Sequence, residues 1–289
     1  MTQSIVRTPA SMAAQSLAGL PSLVGRETRG IAANLRRSWR ILVALTRIEV
    51  QRKYAGSILG VLWYPLYSFL LLGSYCFVYL VVFRVRYREF GTYQFVLFVF
   101  SALIPYLGFS EAVSIGLGSV KANLALLRNT VFPIEFVPVK HVLAALVGLL
   151  ISLTVLELMI VPTVFRGWHI LYLPVPLLSL LLFCVAVVWV LSAIAVVVPD
   201  VAQIVNIGLL LLMFVSPIGF SVDQVPPGVR VLVYLNPLSY LMDSFRFALL
   251  GIRTLPIWFD FAFLAVALAG AAVSGTFFRR MSPVFSDYE

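Results

Sequence analysis

Charge is scarce in this chain. Asp, Glu, Lys and Arg make up 11% of its 289 residues against 61% hydrophobic ones, and the mean hydropathy is +1.01. Soluble domains carry about a quarter of their residues as charges. Twelve acidic and twenty-one basic side chains cannot cover a 32.0 kDa globule with polar groups, which excludes a soluble enzyme or nucleic-acid module and places the chain in a bilayer. Cysteine is as sparse. Cys76 and Cys184 lie inside apolar runs, away from any Cys/His cluster, so neither a disulfide scaffold nor a zinc site has support and both read as buried free thiols. The only imidazoles are His141 and His169, and HExxH, GxSxG and a nucleophile beside a base are all missing. Catalysis is therefore not expected. A phosphate-cradling GxxxxGKS/T loop is also missing, so any ATP must be hydrolysed by another subunit. Neither an internal two-fold repeat nor a midplane ion site of a coupled carrier is visible.

What is abundant is long apolar sequence. Runs of about 20 apolar residues, enough to cross about 30 Å of hydrocarbon, occur at Ser57–Phe83, Tyr93–Gly116, Val139–Phe165, Leu171–Val198, Val201–Phe220 and Trp258–Phe278. Their apolarity is continuous rather than alternating, which predicts helices and not barrel strands. The expected fold is an all-α integral membrane protein with six transmembrane helices and Pro105 as a break in the second. Pro226, Pro227, Gly228, Pro237 and Pro256 punctuate a segment that stays apolar between spans five and six, predicting short re-entrant or interfacial helices there.

The net charge of +9 is unevenly spread. Nine of the twenty-one cations fall in the first 56 residues, directly before the first span. Fourteen lie on the amino-terminal side of the membrane if the spans alternate, against seven on the other, so the positive-inside rule puts both termini in the cytoplasm. Residues 1–25 lack the ordered features of a signal peptide, and 1–28 read as a weakly ordered cytoplasmic tail. Ile31, Leu35, Trp39, Leu42, Val43 and Ile48 recur at three- to five-residue steps between arginines, predicting an amphipathic interfacial helix within 29–56. The permease domain is then 57–280, with 281–289 as a cytoplasmic tail. Glu111, Glu157 and His141 fall in or near spans, where an ionisable residue suggests function. A structural role is favoured for each, with Arg246 as one partner for Glu157.

Several motifs in order resemble the membrane-spanning permease of ABC exporters that move polysaccharides: O-antigen, capsule or teichoic-acid precursors. Arg52-Lys53-Tyr54, then Gly56 through Trp63 and Pro65, resembles the family's lead-in to span one. Asn123 through Arg128, with Val131-Phe132-Pro133 and Pro138, resembles the cytoplasmic coupling segment, placed at 119–137. Ser216-Pro217-Ile218, Leu235 through Leu238 and Arg246 resemble its outer gate, and Arg279-Arg280 with Ser282–Asp287 its tail. Asp200 resembles an acidic position at the next cytoplasmic turn, although Pro199 stands where the family often has Arg. The resemblance implies ATPase coupling through Asn123, Leu126, Leu127, Arg128, Phe132, Pro133 and Asp200, and an outer gate of Pro217, Asn236, Pro237 and Arg246. It also implies a homodimer with two separate ATPase subunits, which bind the ATP and Mg2+ while this chain binds no cofactor. The substrate is a lipid-linked polysaccharide crossing the bacterial inner membrane; periplasmic or outer-membrane export proteins are further partners to consider, and nucleic acid is not. The alternative is a permease of the same fold that exports a small lipid or drug.

A glycan path needs aromatic faces for sugar C–H groups and hydroxyl edges for sugar hydroxyls. Among the 39 aromatic residues, Trp63, Tyr64, Tyr67 and Tyr75 on span one are the expected lining. An interfacial aromatic belt is the competing reading for the first two.

Overall fold

The computed structural model describes residues 39–84, 91–123, 133–163 and 167–287. Every regular element among them is helical. Five helices are long and apolar enough to cross a bilayer: α2 (Gly60–Val82), α3 (Thr92–Leu117), α5 (Phe136–Ile160), the Trp168–Val197 helix and α10 (Trp258–Met281). The fourth of these is α6 (Pro174–Val197), preceded by a 3-10 turn over Trp168–Tyr172. The remaining elements are α1 (39–53), α4 (Ser119–Ala122), α7 (Val201–Val215), α8 (Pro227–Leu235), α9 (Pro237–Leu250) and 3-10 turns over Val222–Gln224 and Ser282–Asp287.

The expected fifth span stops short. α7 has 15 residues, about 22 Å at 1.5 Å per residue, against about 30 Å of hydrocarbon. Five helices thus meet span length, and the apolar run Val201–Phe220 does not. Pro217 is the cause. A proline disfavours helical backbone at the residue before it, and Ser216 accordingly turns extended, with φ −73° and ψ 140°. Pro105 behaves differently from expectation: α3 runs through it without a break. Close packing by neighbouring helices lets a membrane helix keep a proline, and Pro105 is fully enclosed.

α3 is the centre of the bundle. Of its span window 78% is buried, and α5, α9, α6 and α2 surround it. Phe98, Phe100, Tyr106 and Phe109 all pack inside. α6 and α10 lie against each other over most of their length, with Gly270 facing Ala186. The expected short helices between spans five and six are α8 and α9. Asn236 caps α9 by accepting from the Leu238 N–H at 3.0 Å, Pro237 opens its first turn, and Gly251, at φ +69°, ends it in left-handed backbone. Nearly all of α9 is buried.

The two ends of the bundle differ in charge. At the basic end, α1 and the ends of α3 and α10 meet the start of α5, bringing together Arg52, Lys53, Lys140 and Arg279. α1 packs through Leu42 and Thr46, whereas Trp39, Val43 and Ile48 stay exposed. At the opposite end, α9 packs beneath the Trp168–Tyr172 turn and the start of α3. Cys76 and Cys184 are free thiols.

Candidate functional site

Two cavities are stacked along α2. The first, about 440 Å³, opens between α2, α3 and α5 near the basic end. Trp63, Tyr64 and Tyr67 line it together with the hydroxyls of Ser68, Ser110, Ser114 and Ser152 and the charges of Lys53 and Glu111. Sequence reasoning named the three aromatics and missed the serines, which come from three different helices. Tyr64 owes its position to Gly148. A Cβ at 148 would overlap the Tyr64 ring, so only glycine on α5 lets the ring lie there. The Ser68 and Ser152 hydroxyls are 3.3 Å apart across the same contact. The Trp63 indole N–H donates to Ser57 Oγ at 3.0 Å.

The second cavity, about 370 Å³, lies farther along the same helix and is lined by Tyr75, Tyr79, Phe83, Phe214, Phe220 and Ser74 among others. Tyr67, Leu71 and Ser74, spaced by four and three residues, form one stripe of α2 that runs from the first cavity into the second. The rings of Tyr75 and Tyr79 are parallel, with centroids 6.2 Å apart, where α2 turns into a π-helix over Phe77–Val82; such local rewinding is frequent at functional sites. Tyr79 packs against Gly219, where a Cβ would come within 2.7 Å of the ring.

The stretch after α7 that carries Gly219 is held by the residues expected at the outer gate. Arg246 on α9 donates to the carbonyls of Pro217 and Ile218 at 2.5 and 2.8 Å, with its guanidinium 3.7 Å from the Phe98 ring centre. Asn236 donates to Ser216 Oγ at 2.8 Å. Pro217, Asn236, Pro237 and Arg246 therefore meet in one cluster. Arg246→Gln is too short to serve both carbonyls. Leaving such buried groups unsatisfied costs roughly 1 to 3 kcal/mol, so a lower melting temperature in detergent is expected, with Phe98→Leu adding little once Arg246 is gone.

At the basic end, ion pairs join helices distant in sequence. Glu49 on α1 meets Lys140 at 3.0 Å and His141 Nε2 at 3.4 Å on α5, and the His141 Nδ1–H donates to the Val137 carbonyl at 2.8 Å. Glu111 pairs with Lys53, and Glu135, just before α5, pairs with Arg279 at the end of α10. The Glu135 carbonyl also accepts from the Trp189 indole at 3.1 Å. Burial alone would push the Glu49 carboxyl up, but Lys140, His141 and Arg52 together hold it below its ordinary 4.5. A lowered folded-state pKa contributes stability above the unfolded value and loses it as pH falls through the folded one. Docking of α1 is thus expected to weaken only below about pH 4.5; a spin label at residue 43 that gains mobility in that window, and keeps it at neutral pH in Glu49→Gln, checks this.

Of the expected coupling residues, Leu126, Leu127, Arg128 and Phe132 lie outside the described residues. Asn123 and Pro133 bracket that segment, and Asn123 Oδ1 accepts from Lys140 at 3.3 Å. Asp200 is exposed in the turn between α6 and α7. Glu157 departs from the suggested pairing: its Oε1 finds no hydrogen-bond partner among the described residues. No three His, Cys, Asp or Glu among the described residues could hold a metal ion.

Residues 40–250, which contain both cavities and every tie except Arg279, match the family described as ABC-2 type transporter. The chain belongs to that family. The ABC-2 permease is 31% identical over 212 residues to the O-antigen export system permease protein RfbA of Myxococcus xanthus, covering 71% of this chain and 78% of that protein. It is 24% identical over 218 residues to the protein of the same name from Klebsiella pneumoniae, covering 74% and 81%. The ABC-2 permease is thus a multi-pass membrane transporter component and a member of the polysaccharide-exporter permeases that its sequence resembles.

Proposed function

We propose that this chain is the transmembrane subunit of an exporter that moves a polysaccharide or lipid-linked glycan, of the O-antigen type its relatives are named for, across the bacterial inner membrane. The observation that carries the reading is the pair of stacked cavities, whose walls combine aromatic faces with hydroxyls and which one stripe of α2 connects. Such a wall suits a sugar polymer. Rings pack against C–H faces and hydroxyls bond at the edges, and no single contact is strong enough to stop sliding.

The same wall argues for two copies. Only 11% of the span window of α2 is buried, and α7 buries Leu209 alone. Polar groups such as Lys53, Glu111 and Ser114 line a cavity on this open side, and hydrocarbon cannot satisfy them. A two-fold partner facing α2 and α7 closes the half-lumen and keeps the polar atoms wet. The basic end then faces the cytoplasm, so the Asn123–Pro133 segment meets two separate ATPase subunits, which bind and hydrolyse the ATP. Glycan length is the test, because a small-lipid or drug pump has no long cargo to slide. Tyr67→Ala and Trp63→Ala are expected to leave short surface glycans normal in amount while long ones fall; an unchanged length profile in both removes the sliding path.

A further inference from the structure

One ion pair spans the mouth of the inner cavity. Lys53, the last helical residue of α1, reaches the Glu111 carboxylate on α3, and its ammonium lies 4.4 Å from the Tyr64 ring centre and 3.4 Å from the Tyr64 hydroxyl. Glu49 and Lys53 are four residues apart on α1, so one face of this helix carries both ties, to α5 and to α3. The two ties are unequal. The difference lies in the cations: Lys140 and His141 keep 8% and 7% side-chain exposure against 36% for Lys53, while the two carboxylates are alike, Glu49 at 20% and Glu111 at 22%. The Lys53 pair can therefore open into water without stranding a charge, and exposed pairs of this kind are weak.

The chain beside it is built to bend. Gly56 and Gly60 have φ of +81° and +53°, yet a Cβ at either would meet nothing within 4 Å. Space does not require glycine there; the left-handed backbone does. Two such residues, one in the link after α1 and one at the first position of α2, can absorb a change in the angle between the helices, the property that hinges need.

We propose that the Lys53–Glu111 pair is a latch on the cytoplasmic mouth of the inner cavity, opened when α1 pivots about its Glu49 tie to α5 and the change of angle is taken up at Gly56 and Gly60. It rests on the reading of that cavity as the inner part of the path. A cysteine at Ser110, inside the cavity, reports the latch in a chain carrying Cys76→Ala and Cys184→Ala. Inside-out vesicles containing the chain with its ATPase subunits are treated with a membrane-impermeant maleimide in the absence of ATP.

Lys53→Gln and Glu111→Gln should each speed labelling by up to about fivefold, the scale of an exposed ion pair. The exchange Lys53→Glu/Glu111→Lys should return the rate to the starting value, which a merely damaged fold would not do. Gly56→Ala/Gly60→Ala should also speed labelling with both charges intact, because alanine disfavours the backbone of the latched state. Equal rates in all variants, or fast labelling that the charge exchange does not reverse, overturn the latch. Labelling needs no glycan, so its failure leaves the export reading standing. A responsive latch in cells whose surface glycan does not depend on this chain supports the latch and removes the export reading.

Discussion

Gly148→Ala is expected to cut export about tenfold although it adds only a methyl group. A Cβ at this position overlaps the Tyr64 ring, and neither neighbour can yield freely: α5 packs along α3, and Tyr64 is buried among Tyr54, Lys53 and the Ala144 carbonyl. Forced overpacking costs typically 1 to 3 kcal/mol, and about 1.4 kcal/mol is a factor of ten. The ring must leave its seat, which pushes it into the inner cavity and takes away the surface on which Lys53 rests. The mechanism predicts its own suppression. In Tyr64→Ser the space at 148 is empty, so adding Gly148→Ala should then cost almost nothing. A double-mutant cycle on export and on melting temperature separates this clash from a general weakness of α5.

The second large effect is expected from Arg279→Gln. Glu135 is buried at the start of α5, and the Arg279 guanidinium at the end of α10 is its ion-pair partner. Removing one member of such a pair leaves a buried charge uncompensated, a loss of about 3 to 5 kcal/mol. The position makes the loss functional as well. Glu135 lies two residues beyond Pro133, at the end of the expected coupling segment, and its carbonyl is fixed by Trp189 on α6. The tie therefore connects whatever pushes on that segment to the last span and to α6. Arg279→Gln should uncouple export from ATP hydrolysis and lower the melting temperature. Glu135→Gln/Arg279→Gln should recover stability, because no charge is stranded, while export stays low, because the connection is still cut.

Much of the fold was readable because bilayer physics leaves few options: long apolar runs must be helices. Helix ends were less accessible. The sequence continues apolar through Ser216-Pro217-Ile218, so composition alone extends the fifth span to Phe220, whereas the proline ends it at Val215. Pro105 misled in the opposite direction, since its tolerance depends on enclosure by helices that only the tertiary structure supplies. In the site, the aromatics of α2 could be found from residue type, and Pro217, Asn236 and Arg246, which meet in one cluster, were singled out by the family resemblance. The ion pairs could not. Glu49 and Lys140 are 91 positions apart and Glu135 and Arg279 are 144 apart, and single residues at such separations carry no spacing signal. Gly148 looked like any small residue in a membrane helix until the ring of Tyr64 was seen against it.

The account depends on glycan passing along α2, and photocrosslinking during active export tests this most directly. A photoreactive residue is placed at Tyr67 in the inner cavity, at Tyr75 in the outer one, or at Val266, which is exposed on α10 outside both. Adducts with polysaccharide at positions 67 and 75, dependent on ATP and missing at 266, are the predicted result. Phospholipid adducts alone at all three positions, while export continues, would contradict it.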